Sequence, residues 1–234
     1  LHSFPTRRSS DLGNFTGLPH AFNLIDGVNG LAGTVALVVC LALAHVAIQV
    51  GDRELAAIAS VMAAASAGFL FWNYPRGLIF AGDSGAYLWG LVIAVLSVLL
   101  VQRHAQVSPW FPVLVLMYPV WETLFSIYRK LARGDSPGMA DALHLHQLIY
   151  RRLAHSVLQA DEVDAVLRRN SRTAPYLWSF LVLTVAPALL FWQNSLVLMS
   201  FCLIFAVSYV IAYLSLIHFK AQRMFGGRGN GERS

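Results

Sequence analysis

The sequence predicts an all-α integral membrane protein of about six transmembrane helices. Of its 234 residues 57% are hydrophobic and only 12% are charged, whereas soluble domains carry about 25% charged residues. The apolar residues come in runs of about 20, the length that crosses a bilayer as a helix. The basic residues gather in one insert and one tail instead of spreading along the chain, the asymmetry that sets membrane orientation. Cys40 and Cys202 both lie in apolar runs with no CxxC or Cys/His spacing around them, so neither a disulfide framework nor a zinc site is implied.

The chain opens on SFPTRRSSDL, which reads as a translated sequencing-adapter scar. Residues 1–12 are therefore set apart as not native, are expected to pack against nothing, and imply a native protein truncated at its N-terminus. The membrane domain is expected over 13–220, with a basic tail over 221–234. Spans are expected at about 31–50, 55–72, 85–101, 109–128, 174–192 and 195–218. The long insert, 129–173, carries Arg129, Lys130, Arg133, Arg151, Arg152, Arg168, Arg169 and Arg172, and the tail carries Lys220, Arg223, Arg228 and Arg233. Positive charge of this density belongs on the cytoplasmic side. With strict alternation, connectors 51–54, 102–108 and 193–194 fall outside, holding only Arg53 and Arg103.

That orientation brings three polar clusters to the cytoplasmic face. The first is HAFNLIDGVNGLAG, residues 20–33. Wound as a helix, it sets Asn23, Asp26, Gly27, Asn29, Gly30 and Gly33 on one arc and Leu24, Ile25, Val28 and Leu31 opposite. Helix capping and small-residue packing would account for one polar residue and the glycines. Three polar residues at a membrane threshold ask for more, because an ionisable group at membrane depth is costly and usually functional.

The second cluster is WNYPRGLIFAGDSGAYLWG, residues 72–90. Pro75 and Gly77 should end the preceding span and leave 73–84 as an irregular loop, allowed where it lines a water-filled cavity. Asp83 then has two readings: a cap favoured by the helix dipole, or a hard oxygen ligand for Mg²⁺ beside bound phosphates. The third cluster is GDSPGMADALHLHQLIYRR, residues 134–152. His144 and His146 share a face only in an extended segment; otherwise they flank a turn into the next helix. Zinc lacks a third and fourth ligand, and donor side chains here suit an anionic substrate better. Glu122, inside the fourth span, should pair with Arg129, Lys130 or a neighbouring helix.

Taken together, AFNLIDGVNGLAG, NYPRGLIFAGDSGAYLWG and SPGMADALHLHQ resemble, in order, the signature segments of the polyprenyl-phosphate N-acetylhexosamine-1-phosphate transferases. The resemblance runs over residues 20 to about 152. It implies a ten- or eleven-span bundle in the bacterial inner membrane, of which this chain is the C-terminal part. It also implies transfer of an N-acetylhexosamine 1-phosphate from a UDP-sugar to undecaprenyl phosphate, with Mg²⁺ as cofactor. On that resemblance Asp83 corresponds to the magnesium-binding aspartate, with Asn73 and Phe80 beside the nucleotide and Phe80 stacking on the uracil. Asn23 and Asp26 match the NxxD element as catalytic candidates, and His144 and His146 match the HxHH loop; with Asn29 they are expected at the substrate.

The implied partners are the sugar nucleotide, undecaprenyl phosphate, the bilayer and, as one option, a second copy of the chain; nucleic acid is not among them. His20, Asn29 and Gln147 depart from the common pattern, and WETLFSIYRK with ADALHLHQLIYRR looks closest to the branch that begins O-antigen or related surface glycans. The family's adjacent aspartate pair is absent, since no DD occurs in the sequence, so the chain by itself is expected to be inactive. Two other readings stay open. A transporter would use Asp26, Asp83 and Glu122 as an ion path and spread polar groups through membrane depth; a non-catalytic assembly subunit would keep the fold alone.

Overall fold

The computed structural model describes residues 8–134, 144–156 and 162–226. Every regular element among them is an α-helix: α1 (Arg8–Ile25), α2 (Leu31–Gln49), α3 (Arg53–Asn73), α4 (Gly82–Arg103), α5 (Trp110–Val115), α6 (Met117–Ala132), α7 (Leu145–Ser156), α8 (Glu162–Leu190) and α9 (Ser195–Gly226). The chain is an all-α, multi-pass membrane protein. Five segments are long and apolar enough to cross a bilayer: Leu31–Gln49, Arg53–Asn73, Gly82–Arg103, Asn170–Leu190 and Ser195–Ile217. Residues 1–7 of the adapter-like stretch, part of the insert and the end of the tail lie outside the described residues.

The apolar run of α2 makes it the most enclosed of these spans, with Val35, Ala36, Val39, Cys40 and Val46 fully buried. Around it, α3 exposes Ile58, Val61, Phe71 and Trp72, and α9 exposes Leu196, Leu203 and Ile211, a surface suited to lipid tails. α1 packs along α4. At their crossing a Cβ on Gly90 would sit 2.5 Å from the Pro19 backbone, so the two helices meet this closely only because residue 90 has no side chain.

Two expectations are corrected. The stretch 20–33 is not one helix: α1 ends at Ile25 and α2 starts at Leu31. Gly30 between them has φ +80°, in the left-handed region. That conformation ends a right-handed helix and is open to glycine, so Asp26 and Asn29 stand on a turn. The fourth span, expected unbroken over 109–128, is two helices meeting at Leu116. Pro119 has no N–H to give the Val115 carbonyl and its ring crowds that oxygen, so a new helix begins there instead.

The broken pair still runs from one end of the bundle to the other. At one end Ser108 N–H donates to the Trp192 carbonyl at 3.0 Å, and the Ser108 and Ser195 hydroxyls are 2.7 Å apart. Arg103 bonds Asp52 at 3.3 Å and Glu54 at 2.9 Å there, and His104 Nε2 lies 3.0 Å from Asp52. Connectors 50–52, 104–109 and 191–194 thus share one end. The α1–α2 turn, the 74–81 loop and the start of α7 share the other.

Candidate active site

Asn73, the last residue of α3, ties two loops together. Its Oδ1 accepts from Gly30 N–H at 2.7 Å and its Nδ2 donates to the Ile79 carbonyl at 2.8 Å. Asn29 continues the seam: its Nδ2 donates to the Pro75 carbonyl at 3.3 Å, and its own N–H donates to Asn170 Oδ1 on α8 at 2.8 Å. Tyr74 closes over the turn so tightly that a Cβ on Gly30 would lie 2.6 Å from its ring. Both asparagines are buried, and a buried amide must find such partners. Asn73, expected beside the nucleotide, therefore spends both its amide atoms on backbone partners and holds the loops that border the site.

The seam brings Asp26, on the α1–α2 turn, near the start of α4, where the Gly82 N–H and the charge of Asp83, next in the chain, both act on it. Burial, with Asp83 adding to it, pushes the Asp26 carboxyl up to about 6, against the opposing pull of the Gly82 N–H. Of the two readings of Asp83, the cap is not what the helix uses: the N-cap of α4 is Ala81, with no side-chain bond, and Asp83 lies in the first turn, exposed. Phe80 precedes it, 69% exposed, beside exposed Leu78 and Ile79.

The histidines flank the turn into α7. His144 and His146 are both buried and their rings stack, centroids 5.5 Å apart and planes within 5°. His146 Nε2 lies 3.3 Å from where a Gly27 Cβ would stand, so the stack abuts the turn that carries Asp26. Burial pushes His146 down to about 4, outweighing the opposing pull of Glu122, so its imidazole is neutral at pH 7. Glu122 pairs with a neighbouring helix, as one of its expected options, and with His144: Tyr209 of α9 donates to it, as does Leu145 N–H. Asn23 bonds Tyr87 at 3.4 Å and, with His20, Lys130, His144 and Gln147, lines a cavity of about 650 Å³ between α1, α6 and α7.

The polar groups expected on one face are thus at one end of the bundle: Asp26, Asn29, Asn73, Asp83 and His146 around the turn, Asn23 and His144 in the adjoining cavity wall. Tyr209 and Asn170 were not expected. A tyrosine inside an apolar run carries no separate sequence signal, whereas Glu122, an acid within a span, did flag that donors must be near. Among the described residues no three His, Cys, Asp or Glu side chains converge to enclose a metal ion by themselves. Two neighbouring carboxylates with no third such ligand among the described residues fit Mg²⁺, which takes one or two carboxylates and completes its shell with water and substrate phosphates.

Fold and site define an integral membrane protein whose acidic, amide and imidazole groups collect at one end of a helical bundle. Residues 14–101 match the family described as glycosyl transferase family 4. It is 31% identical over 131 residues, 56% of this chain and 37% of the relative, to a probable undecaprenyl-phosphate N-acetylglucosaminyl 1-phosphate transferase of Bacillus subtilis. It is 28% identical over 218 residues, 85% of this chain and 51% of the relative, to a decaprenyl-phosphate N-acetylglucosaminephosphotransferase of Mycolicibacterium smegmatis. It is 31% identical over 139 residues, 56% of this chain and 37% of the relative, to an undecaprenyl-phosphate alpha-N-acetylglucosaminyl 1-phosphate transferase of Escherichia coli. The chain spans about half or less of the length of these relatives. No solved structure matches it.

Proposed function

We propose that this chain is part of a transferase that moves N-acetylglucosamine 1-phosphate, or a close N-acetylhexosamine equivalent, from a UDP-sugar to undecaprenyl phosphate at the cytoplasmic face of the bacterial inner membrane, releasing UMP. The observation that carries the reading is the placement of Asp26, on the α1–α2 turn, near Asp83, in the first turn of α4, with the adjoining loops locked by Asn73 and Asn29. Two neighbouring carboxylates next to a cavity lined by Lys130, His144, Asn23 and Gln147 suit a cation and an anion bound together. The names of the relatives favour N-acetylglucosamine within the N-acetylhexosamine class. The O-antigen or surface-glycan setting rests on the WETLFSIYRK and ADALHLHQLIYRR resemblance.

In the reaction an oxygen of the lipid phosphate attacks the sugar-linked phosphorus of the UDP-sugar; the bond from that phosphorus to the bridging oxygen breaks, and UMP leaves with the electron pair. Bound magnesium supplies charge neutralisation for the diphosphate and the leaving phosphate. Asp83, with Asp26 beside it, is the group that would hold it. Lys130 and the cavity amides orient the anion, and Asn73 and Asn29 keep the loops from yielding as charge builds. Exposed Phe80 presents a flat face for the nucleobase. Little covalent chemistry is asked of the chain, and positioning with electrostatics does the rest.

A transporter would distribute such groups through membrane depth; here they gather at one end, which favours interfacial chemistry. The test is incorporation of radiolabelled UDP-N-acetylglucosamine into butanol-extractable lipid by membranes containing the full-length parent protein. Labelled lipid with stoichiometric UMP is expected. A parent that makes no labelled lipid from any UDP-N-acetylhexosamine would overturn the reading.

A further inference from the structure

Glu122 has no part in the chemistry just described, yet it is fully buried at 0% exposure and three groups converge on it. Leu145 N–H donates to its Oε1 at 2.9 Å, His144 Nδ1 lies 3.2 Å from the same oxygen, and the Tyr209 hydroxyl donates to Oε2 at 2.5 Å. An ionised carboxylate only accepts, so the hydrogen between Glu122 and His144 must be on Nδ1. That leaves Nε2 as the free polar atom of the ring. Nε2 has no hydrogen-bond partner among the described residues, and the ring forms part of the cavity wall.

The character of that wall names the kind of ligand. Among the described residues its lining holds the Lys130 ammonium, the amides of Asn23 and Gln147 and the hydroxyls of Thr123 and Ser126, and none of them is a carboxylate. Such a set fits an anion with several oxygens. We infer that Glu122 and Tyr209 are positioning residues, which fix the tautomer and plane of His144 so that its Nε2 meets a diphosphate-type anion in the cavity. A carboxylate behind a functional imidazole performs this office in metal sites, where its loss costs about 10- to 100-fold in affinity or activity. The hold extends further through the His144–His146 stack to the Gly27 turn beside Asp26. The inference rests on the transferase reading for the identity of the anion, and not for the geometry.

The experiment is ¹⁵N NMR of the full-length parent in detergent with labelled histidine, the His144 signals identified by their loss in His144→Gln, and inorganic pyrophosphate as the probe. The wild type should show a single Nδ1–H tautomer, and pyrophosphate should move the Nε2 resonance. Glu122→Gln should mix the tautomers and weaken pyrophosphate about 10- to 100-fold. Tyr209→Phe, which leaves the contacts to Oε1 in place and guards against a folding failure in the first variant, should weaken it less and in the same direction. An Nε2–H tautomer in the wild type, an Nε2 resonance indifferent to millimolar pyrophosphate, or undiminished binding in both variants would overturn the inference. Failure of sugar transfer by the parent would overturn the transferase reading and leave these resonances unaffected.

Discussion

At Asn73 one side chain decides whether two loops stay in register. Its amide bonds Gly30 N–H and the Ile79 carbonyl, neither of which belongs to a helical hydrogen-bond ladder. Asn73→Ala strands both, and a buried polar group left without a partner costs about 1–3 kcal/mol. The expected result is a lower Tm in detergent and weaker nucleotide binding, with helix content unchanged by circular dichroism; an unaltered Tm would show that the seam is held elsewhere. Asn73 was expected beside the nucleotide on the resemblance, in a loop that Pro75 opens. Its duty as a clamp was not, because that depends on Gly30, 43 residues away in sequence. The reverse holds for Asp83: the cap and ligand readings were equal in sequence, and the N-cap of α4 at Ala81 removes the cap.

At the scale of the element, α3 shows a helix start fixed by chemistry at the far end of the bundle. Asp52 is its N-cap, accepting from Leu55 N–H at 3.0 Å, and it also meets His104 and Arg103. The hydrogen bond with His104, then that of Leu55 N–H, holds the Asp52 carboxyl below the usual carboxylate range. A depressed carboxylate adds stability that is present above its unfolded pKa, about 4, and fades as pH falls through the lower folded value. The expected outcome is a Tm that drops below pH 4 in the wild type and drops less in Asp52→Asn. Asp52→Ala should cost about 0.5–2 kcal/mol at pH 7 by loss of the cap; equal melting of all three proteins across this range would contradict the assignment. The spans themselves were legible to within a few residues, since long apolar runs admit few alternatives. The break at Leu116 was less so: Pro112 and Pro119 were visible, but a proline in an apolar run can kink a helix or end one, and only packing decides.

Across the whole molecule, polar chemistry is sorted to opposite ends. Connectors 50–52, 104–109 and 191–194 carry the Asp52–Arg103–His104 network, and the opposite end carries Asp26, Asn29, Asn73, Asp83 and the histidine stack. Alternation of spans from the charge pattern gave this sorting, because each crossing reverses the side and the sequence supplies the count. What alternation could not supply is contact across the interior: the reach of Tyr209 to Glu122, and of Asn170 to Asn29, depends on how helices distant in sequence pack.

The central claim is that Asp83 joins Asp26 in holding a metal–diphosphate site, and Asp83→Asn tests it most directly. The exchange keeps side-chain volume and leaves the Ala81 helix start untouched, costing about 0.3–1 kcal/mol of favourable charge in the first turn of α4. It removes the charge a hard divalent ion requires. In the full-length parent, expression and Tm should stay near wild type while transfer from UDP-N-acetylglucosamine to undecaprenyl phosphate, measured at saturating Mg²⁺, falls about 10²- to 10³-fold. Near-normal transfer by a well-folded Asp83→Asn protein at saturating Mg²⁺ would contradict the account.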